Sequence, residues 1–346
     1  MPRCFEGKTA DLAWRGGASA LLSGPDTIEQ DSQHGATREL LHASFHIENP
    51  RNRWVLSRQP GINPAFAIAE IFWILAGRDD ARFITFWNSK YCEYAGTDAH
   101  LHGAYGYRLR QQFGLDQLER AFLALQSSPD SRQIVLSIWD GRSDLPSADG
   151  SPISRDVPCN ICSLLKIRNG RLEWTQVMRS NDLFLGTPYN FIQFTTLQEV
   201  LAGWLDVELG SYFHLSDSLH AYETYEGTRE RFSIADQPAQ VANSDRLGLP
   251  KSVFDVTLER VVEILERLAM PDLSNVQFRA LTALDDLPVG YRNLVLIAAA
   301  DAARRRKWYT DVDHSLSRCD NPMLIAAWEN WRSQYVARQL SASGPA

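Results

Sequence analysis

The sequence predicts a mixed α/β protein, and three stretches carry that prediction. Residues 64–77, Pro-Ala-Phe-Ala-Ile-Ala-Glu-Ile-Phe-Trp-Ile-Leu-Ala-Gly, read as a helix apolar nearly all round, and such a helix is normally buried. Gln133-Ile-Val-Leu-Ser-Ile-Trp139 has the β-branched weight of a strand. Ser163–Ile167 and Arg171–Val177 flank Asn169-Gly170, a strong short-range hairpin signal.

From the N-terminus, residues 8–24 read as a short helix that stops at Gly24-Pro25. A polar turn over 31–35 leads into Glu39–Ile47, which alternates loosely, stops at Asn49-Pro50 and reads as a strand. Pro64 can open the apolar helix and Gly77 can close it. Residues 81–90 and 116–126 suggest two more helices. A Gly/Ser/Asp/Pro-rich loop over 141–157 runs to Pro158-Cys159, just before the hairpin. Residues 190–204 form a long, mostly apolar helix. The segment 235–252 has linker character, and 253–340 reads mainly helical, with no repeats or low-complexity tracts.

The 346 residues carry 35 Lys+Arg against 42 Asp+Glu, a net charge of −7, which argues against sequence-blind nucleic-acid binding. With 44% hydrophobic and 22% charged residues, disordered and fibrous classes are excluded. No stretch approaches the ~18 uninterrupted apolar residues of a membrane span, and the first residues lack the apolar core of a signal peptide. Five cysteines, mostly far apart, do not make a disulfide framework. A cytoplasmic location is expected.

Four groups are candidates for chemistry. Cys159 lies between a loop and a hairpin; as a nucleophile it needs a nearby cation, and otherwise it is a buried small side chain. With Cys162 it also permits a redox dithiol or half a zinc site, although no second ligand pair is visible. Glu70, inside an apolar helix, must be paired, hydrated or protonated, as suits a general acid/base or a buried salt bridge. Arg179-Ser-Asn-Asp182 puts a cation and a hydroxyl at a strand end, either an anion site or a solvated terminus. His220 and Tyr222 share one face of an extended segment and could equally be satisfied core groups.

In this order and spacing the groups resemble the folate-dependent thymidylate synthase family, which includes the pyrimidine-nucleotide hydroxymethylases. The resemblance covers about residues 30–230. It rests on Glu70–Gly77, His102-Gly-Ala-Tyr-Gly-Tyr-Arg108, Asp116-Gln-Leu118, Pro129-Asp-Ser-Arg132 with its strand to Trp139, Pro158-Cys159, Arg179-Ser-Asn-Asp-Leu-Phe-Leu-Gly-Thr-Pro-Tyr-Asn190 and His220-Ala-Tyr222. It implies an α/β (α+β) fold in which a large mixed sheet forms a homodimer interface, surrounded by helices. Residues 1–235 would be the catalytic domain, with a mainly helical region, 236–346, packed on it. The implied reaction passes one carbon from 5,10-methylenetetrahydrofolate to C5 of a pyrimidine nucleotide through a Cys159–C6 adduct, without a metal or a nucleic-acid or membrane partner.

The resemblance also implies roles. Arg179 would hold Cys159 as thiolate and, with Ser180, bind the nucleotide phosphate; Arg132 would reach the other subunit's phosphate. Glu70 would organise protons and water, and Tyr105 would help remove the C5 proton. Asn190 would read a uracil-type edge, since an amide both donates and accepts. His220 and Tyr222 would bind the sugar, while Asp182, Trp87 and Gly186 would line the folate site. Departures from the pattern are Gln133 and Gln33 where arginines are usual, with Arg38 offset from the second, and Asn160 in place of His. The tail 341–346 lacks the family's hydrophobic terminus. Together these departures favour 5-hydroxymethylation in modified-nucleoside biosynthesis. Thymidylate synthesis proper, CMP/dCMP hydroxymethylation and a catalytically retired nucleotide-binding homodimer are the alternatives.

Overall fold

The computed structural model describes residues 3–32, 35–222, 232–238 and 241–342. The first strand, β1 (Arg3–Gly7), leads into α1 (Ala10–Ser23), whose N-cap Thr9 accepts the Leu12 N–H. Next come β2 (Ile28–Ser32), β3 (Gly35–Ile47) and a two-residue β4 (Arg58–Gln59). Helix α2 (Pro64–Leu75) starts at Asn63, whose Oδ1 accepts the amides of Ala65 and Phe66, with Pro64 in the first turn. The helix expected over 81–90 ends early, as α3 (Ala81–Trp87). Asn88 leaves the helical region, with φ −141°, and a short α4 (Tyr91–Ala95) follows.

One turn, α5 (Tyr105–Tyr107), passes into a π-helical turn over Arg108–Gln112 and then α6 (Gln117–Ser127). The remaining strands are β5 (Ile134–Ser137), β6 (Asn160–Arg168), β7 (Arg171–Met178), β8 (Asn181–Asp182), β9 (Glu208–Tyr222) and β10 (Ser233–Ile234). Helix α7 (Thr187–Leu205) lies between β8 and β9, and α8 (Lys251–Ala269), α9 (Asn275–Leu281), α10 (Val289–Arg305), α11 (Tyr309–Ser317) and α12 (Pro322–Ala342) complete the chain. The expected hairpin turns at Asn169 and Gly170, both at positive φ (51° and 71°). Two residues of this handedness match the twist of the paired strands.

The sheet runs β1-β3-β9-β7-β6-β5, with β2 pairing β3 and β8 pairing β9. It is mixed: β1 runs parallel to β3, β9 parallel to β7 and β8, and the other pairs are antiparallel. β9, fifteen residues long, holds the centre, whereas the sequence had marked only its last residues as extended. One face is buried under α7: Phe45, Trp174, Tyr212 and His214 meet Phe191 and Phe194 at ring distances of 5.3–6.5 Å. Helix α2 packs on α7, and α8, α10 and α12 pack on α2. All twelve residues of α2 are therefore buried, Glu70 among them. Among the described residues no helix is long and apolar enough to cross a membrane.

Candidate active site

Two adjacent strand ends place the nucleophile and its cation. Cys159 enters β6 just where Arg179 leaves β7, and the Arg179 amide donates to the Cys159 carbonyl at 2.9 Å. The guanidinium is aimed by the loop carbonyls before the cysteine, Nε donating to Pro158 at 3.0 Å and Nη2 to Val157 at 3.1 Å. It also lies 5.5 Å from the Trp139 ring centre. Burial pushes the Cys159 thiol pKa up, Arg179 pulls it down, and Asp156 and Asp182 push it up; the result is a raised value. Arg179 therefore acts on the thiol in the expected direction, against a larger opposing effect of desolvation. Cys162 belongs to the opposite face of β6 from buried Ser163 and Leu165. Among the described residues no His/Cys/Asp/Glu group could hold a metal.

Glu70 projects from α2 toward α7. Gln193 Nε2 donates to Glu70 Oε2 at 2.6 Å, and Asn190 Nδ2 donates to Gln193 Oε1 at 3.0 Å, so three buried side chains form one line. Burial pushes the Glu70 carboxyl up to about 7, with Gln193 offsetting part of the effect. Tyr91, Tyr105 and Tyr189 sense its charge, and burial keeps all three phenols neutral. Cys159 also acts on Tyr105, so that ring bridges the nucleophile and the carboxyl electrostatically.

The Tyr105 turn is held from both sides. Gly106 lies against the Ile74 carbonyl of α2, where a Cβ would collide. Arg108, fully buried, makes a two-pronged bridge to Asp144 at 2.7 and 2.8 Å, and His102 Nε2 lies 2.8 Å from the same carboxylate. Gly103 N–H donates to Asp156 Oδ2 at 2.7 Å. The 141–157 loop, which delivers Cys159, is thus clamped to the segment that delivers Tyr105. Sequence reasoning missed Asp144, Asp156 and Gln193; the available signal was Arg108, a cation in a buried turn that needed a partner.

The Arg179–Gly186 turn is also rigid. β8 pairs with Leu219 and His220, which brings Ser180 Oγ to 3.5 Å from His220 Nδ1, and the Tyr222 ring lies edge-on to His220 at 5.5 Å. Asp182 Oδ1 accepts from Phe184 N at 2.7 Å and Leu185 N at 2.5 Å, and burial pushes its pKa up. A Cβ on Gly186 would meet Asn181 Oδ1 at 2.7 Å. The Asn181 amide lies 2.8 Å from His214 Nε2, and burial lowers the His214 pKa to about 3, keeping that ring neutral. The indole of Trp14 donates to the Leu183 carbonyl at 2.7 Å.

Other expected residues lie elsewhere. Trp87 is fully buried, edge-on to Phe86, with its carbonyl accepting from Arg305 Nη2 at 2.8 Å. Arg132 and Gln133 are exposed ahead of β5. Arg38 bonds Glu29 and the Leu22 carbonyl, both at 3.1 Å. Gln33 is outside the described residues. Asn160 is buried, its Oδ1 accepting from Gln176 at 2.5 Å.

The family model described as thymidylate synthase matches residues 26–274, extending past residue 230, where the motifs end. The chain is 36% identical over 196 residues to a deoxyuridylate hydroxymethyltransferase of Bacillus phage SP01, covering 54% of this chain and 50% of the relative. A deoxyuridylate hydroxymethyltransferase of Pseudomonas phage M6 is 36% identical over 176 residues, 50% of this chain and 49% of the relative. A thymidylate synthase of Francisella philomiragia is 26% identical over 207 residues, 56% and 73% of the two chains. The chain thus spans about half the length of the two phage relatives. The family model covers well over half of the residues, and the chain belongs to the thymidylate synthase family.

Proposed function

We propose that this chain transfers a one-carbon unit to C5 of a uracil-type nucleotide, with deoxyuridylate the first candidate, and that it yields the 5-hydroxymethyl product. The carrying observation is the grouping of Cys159, Arg179, Tyr105 and the Glu70–Gln193–Asn190 line around one site. Two relatives named for deoxyuridylate hydroxymethyl transfer, at higher identity than the thymidylate synthase, support the product and the base.

The co-substrate in this reading is 5,10-methylenetetrahydrofolate, which when bound supplies carbon at the oxidation level of formaldehyde. The residues present fit it: Asp182 has Oδ1 taken by two backbone amides, while Oδ2 has no hydrogen bond among the described residues and can accept from a donor-rich pterin. With Nε and Nη2 of Arg179 engaged, its Nη1 hydrogens serve the phosphate beside Ser180. Cys159 attacks C6. Because burial keeps the free thiol protonated, the thiolate forms with substrate in place, as charge moves onto O4 and Asn190 donates to it. Glu70, at about 7, both takes and gives protons near neutrality, and Tyr105 helps to remove the C5 proton. Water then adds to the one-carbon unit on C5, and Cys159 leaves C6 as the C5–C6 double bond re-forms, which gives the 5-hydroxymethyl base and frees the thiol.

A homodimer through the open sheet face belongs to the same proposal. Val135, Leu164, Thr175, Phe213 and His46 form one cross-strand row on that face, with Val135 49% and Phe213 40% exposed. Covering this row would leave exposed Arg132 available to the partner's site. A reducing, cytoplasmic setting suits five free cysteines. Release of hydrogen from C5-tritiated deoxyuridylate, dependent on methylenetetrahydrofolate and lost in Cys159→Ala, is the expected test result. Release that survives Cys159→Ala would overturn the reading.

A further inference from the structure

Gln193 is three residues beyond Asn190 on α7, so the two side chains share a helix face, and Gln193 is only 4% exposed. Its two ends have different partners: Nε2 donates to Glu70 Oε2 at 2.6 Å, and Oε1 accepts from Asn190 Nδ2 at 3.0 Å. An ionised carboxylate only accepts, so it fixes which end of Gln193 faces it. That choice turns Oε1 to Asn190 and fixes which end of the Asn190 amide faces Gln193. Asn190 is left with Oδ1 and its second N–H in a set order.

The order matters because uracil presents an N3–H donor and an O4 acceptor, whereas cytosine presents an N3 acceptor and an N4 donor. A free asparagine reads either edge by turning its amide over. We propose that Gln193 is a specificity-determining positioning residue, which locks the Asn190 amide to the Glu70 carboxylate so that a uracil edge is accepted and a cytosine edge is refused. The inference rests on the substrate class proposed above and adds the device that selects within it. The titratable groups facing Glu70 are Tyr91 from α4, Tyr105 from α5 and Tyr189 from α7, with the Asp156 charge acting on the first two. Of the described groups, Gln193 alone hydrogen-bonds the carboxylate. Protonated Glu70 can donate instead of accept, which permits the line to reverse, so discrimination weakens as pH falls through the Glu70 transition.

The test is calorimetric binding of dUMP and dCMP, at pH 8 and pH 6, to wild type, Gln193→Leu, Gln193→Glu and Glu70→Gln. Wild type at pH 8 is expected to favour dUMP by about tenfold or more, the worth of one or two directed hydrogen bonds. Gln193→Leu and Glu70→Gln should bring the ratio to about unity, the first by cutting the line and the second by removing the acceptor-only end. Gln193→Glu keeps an acceptor for Asn190 and should retain the preference. A carboxyl-carbon NMR titration of the ligand-free protein should place the Glu70 midpoint higher in Gln193→Leu, as a lost donor to the charged form requires. Wild type that binds neither nucleotide would sink the proposed function. Wild type and Gln193→Leu discriminating equally, with the Glu70 midpoint displaced, would overturn the role of Gln193 alone.

Discussion

Replacing Glu70 by Gln removes a buried charge while keeping an oxygen for Gln193 to donate to, so the packing of α2 on α7 is preserved. The carboxyl moves from 4.5 to about 7 on folding, mainly through burial. A folded value above the unfolded one means that the native state holds its proton more tightly. Glu70 therefore weighs little on stability below about pH 4.5, and its cost grows as pH rises toward 7 and then levels off. At 1.36 kcal/mol for each tenfold change, the full cost is about 3 kcal/mol, most of which accrues between pH 5 and pH 8. Urea unfolding of both proteins at the two pH values measures it. Glu70→Gln should gain on wild type by about 2–3 kcal/mol on going from pH 5 to pH 8. A stability difference between the two proteins that is the same at both pH values would refute the burial of Glu70 as a titrating group.

Three further outcomes follow from the same geometry. Arg179→Ala removes the cation that lowers the Cys159 thiol, so the pH midpoint for alkylation of Cys159, followed by peptide mass mapping, should move up; an unchanged midpoint would separate the two residues. Asp144→Ala strands the fully buried Arg108 and should cost about 3–5 kcal/mol in urea unfolding, whereas a loss under 1 kcal/mol would show that the clamp is not needed. Leu215→Asp puts a charge into the open sheet face and should convert a dimer to monomers in light scattering, while an unaltered mass would move the interface elsewhere.

Much of the scaffold was legible because its signals are local. Pro64 starts α2, Asn169-Gly170 turns the hairpin, and a long, mostly apolar stretch makes α7 a core helix. β9 was not legible: residues such as Phe213, Leu215 and Asp217 alternate against buried Tyr212, His214 and Ser216 without a strong hydrophobic contrast. The strand is defined by partners on both sides, distant in sequence. The break at Asn88 is equally a tertiary matter, since Asn63 and Arg305 both reach the adjacent Trp87 carbonyl. Within the site, Cys159, Glu70 and Arg179 stood out by residue type and spacing. Gln193 did not, because a polar residue in a long helix is read as exposed until its neighbours are known. Asp144 and Asp156 resembled ordinary loop acids for the same reason. The charge state of Cys159 was not legible, since sequence shows the nearby cation but not the burial that opposes it.

The central claim is a one-carbon transfer that ends with water. Its most direct test is the mass of the nucleotide recovered after incubating the protein with deoxyuridylate and 5,10-methylenetetrahydrofolate. The account predicts a gain of CH2O on the base, absent with Cys159→Ala. A gain of CH2 with formation of dihydrofolate would contradict the hydroxymethyl product, and an unmodified nucleotide would contradict the transfer itself.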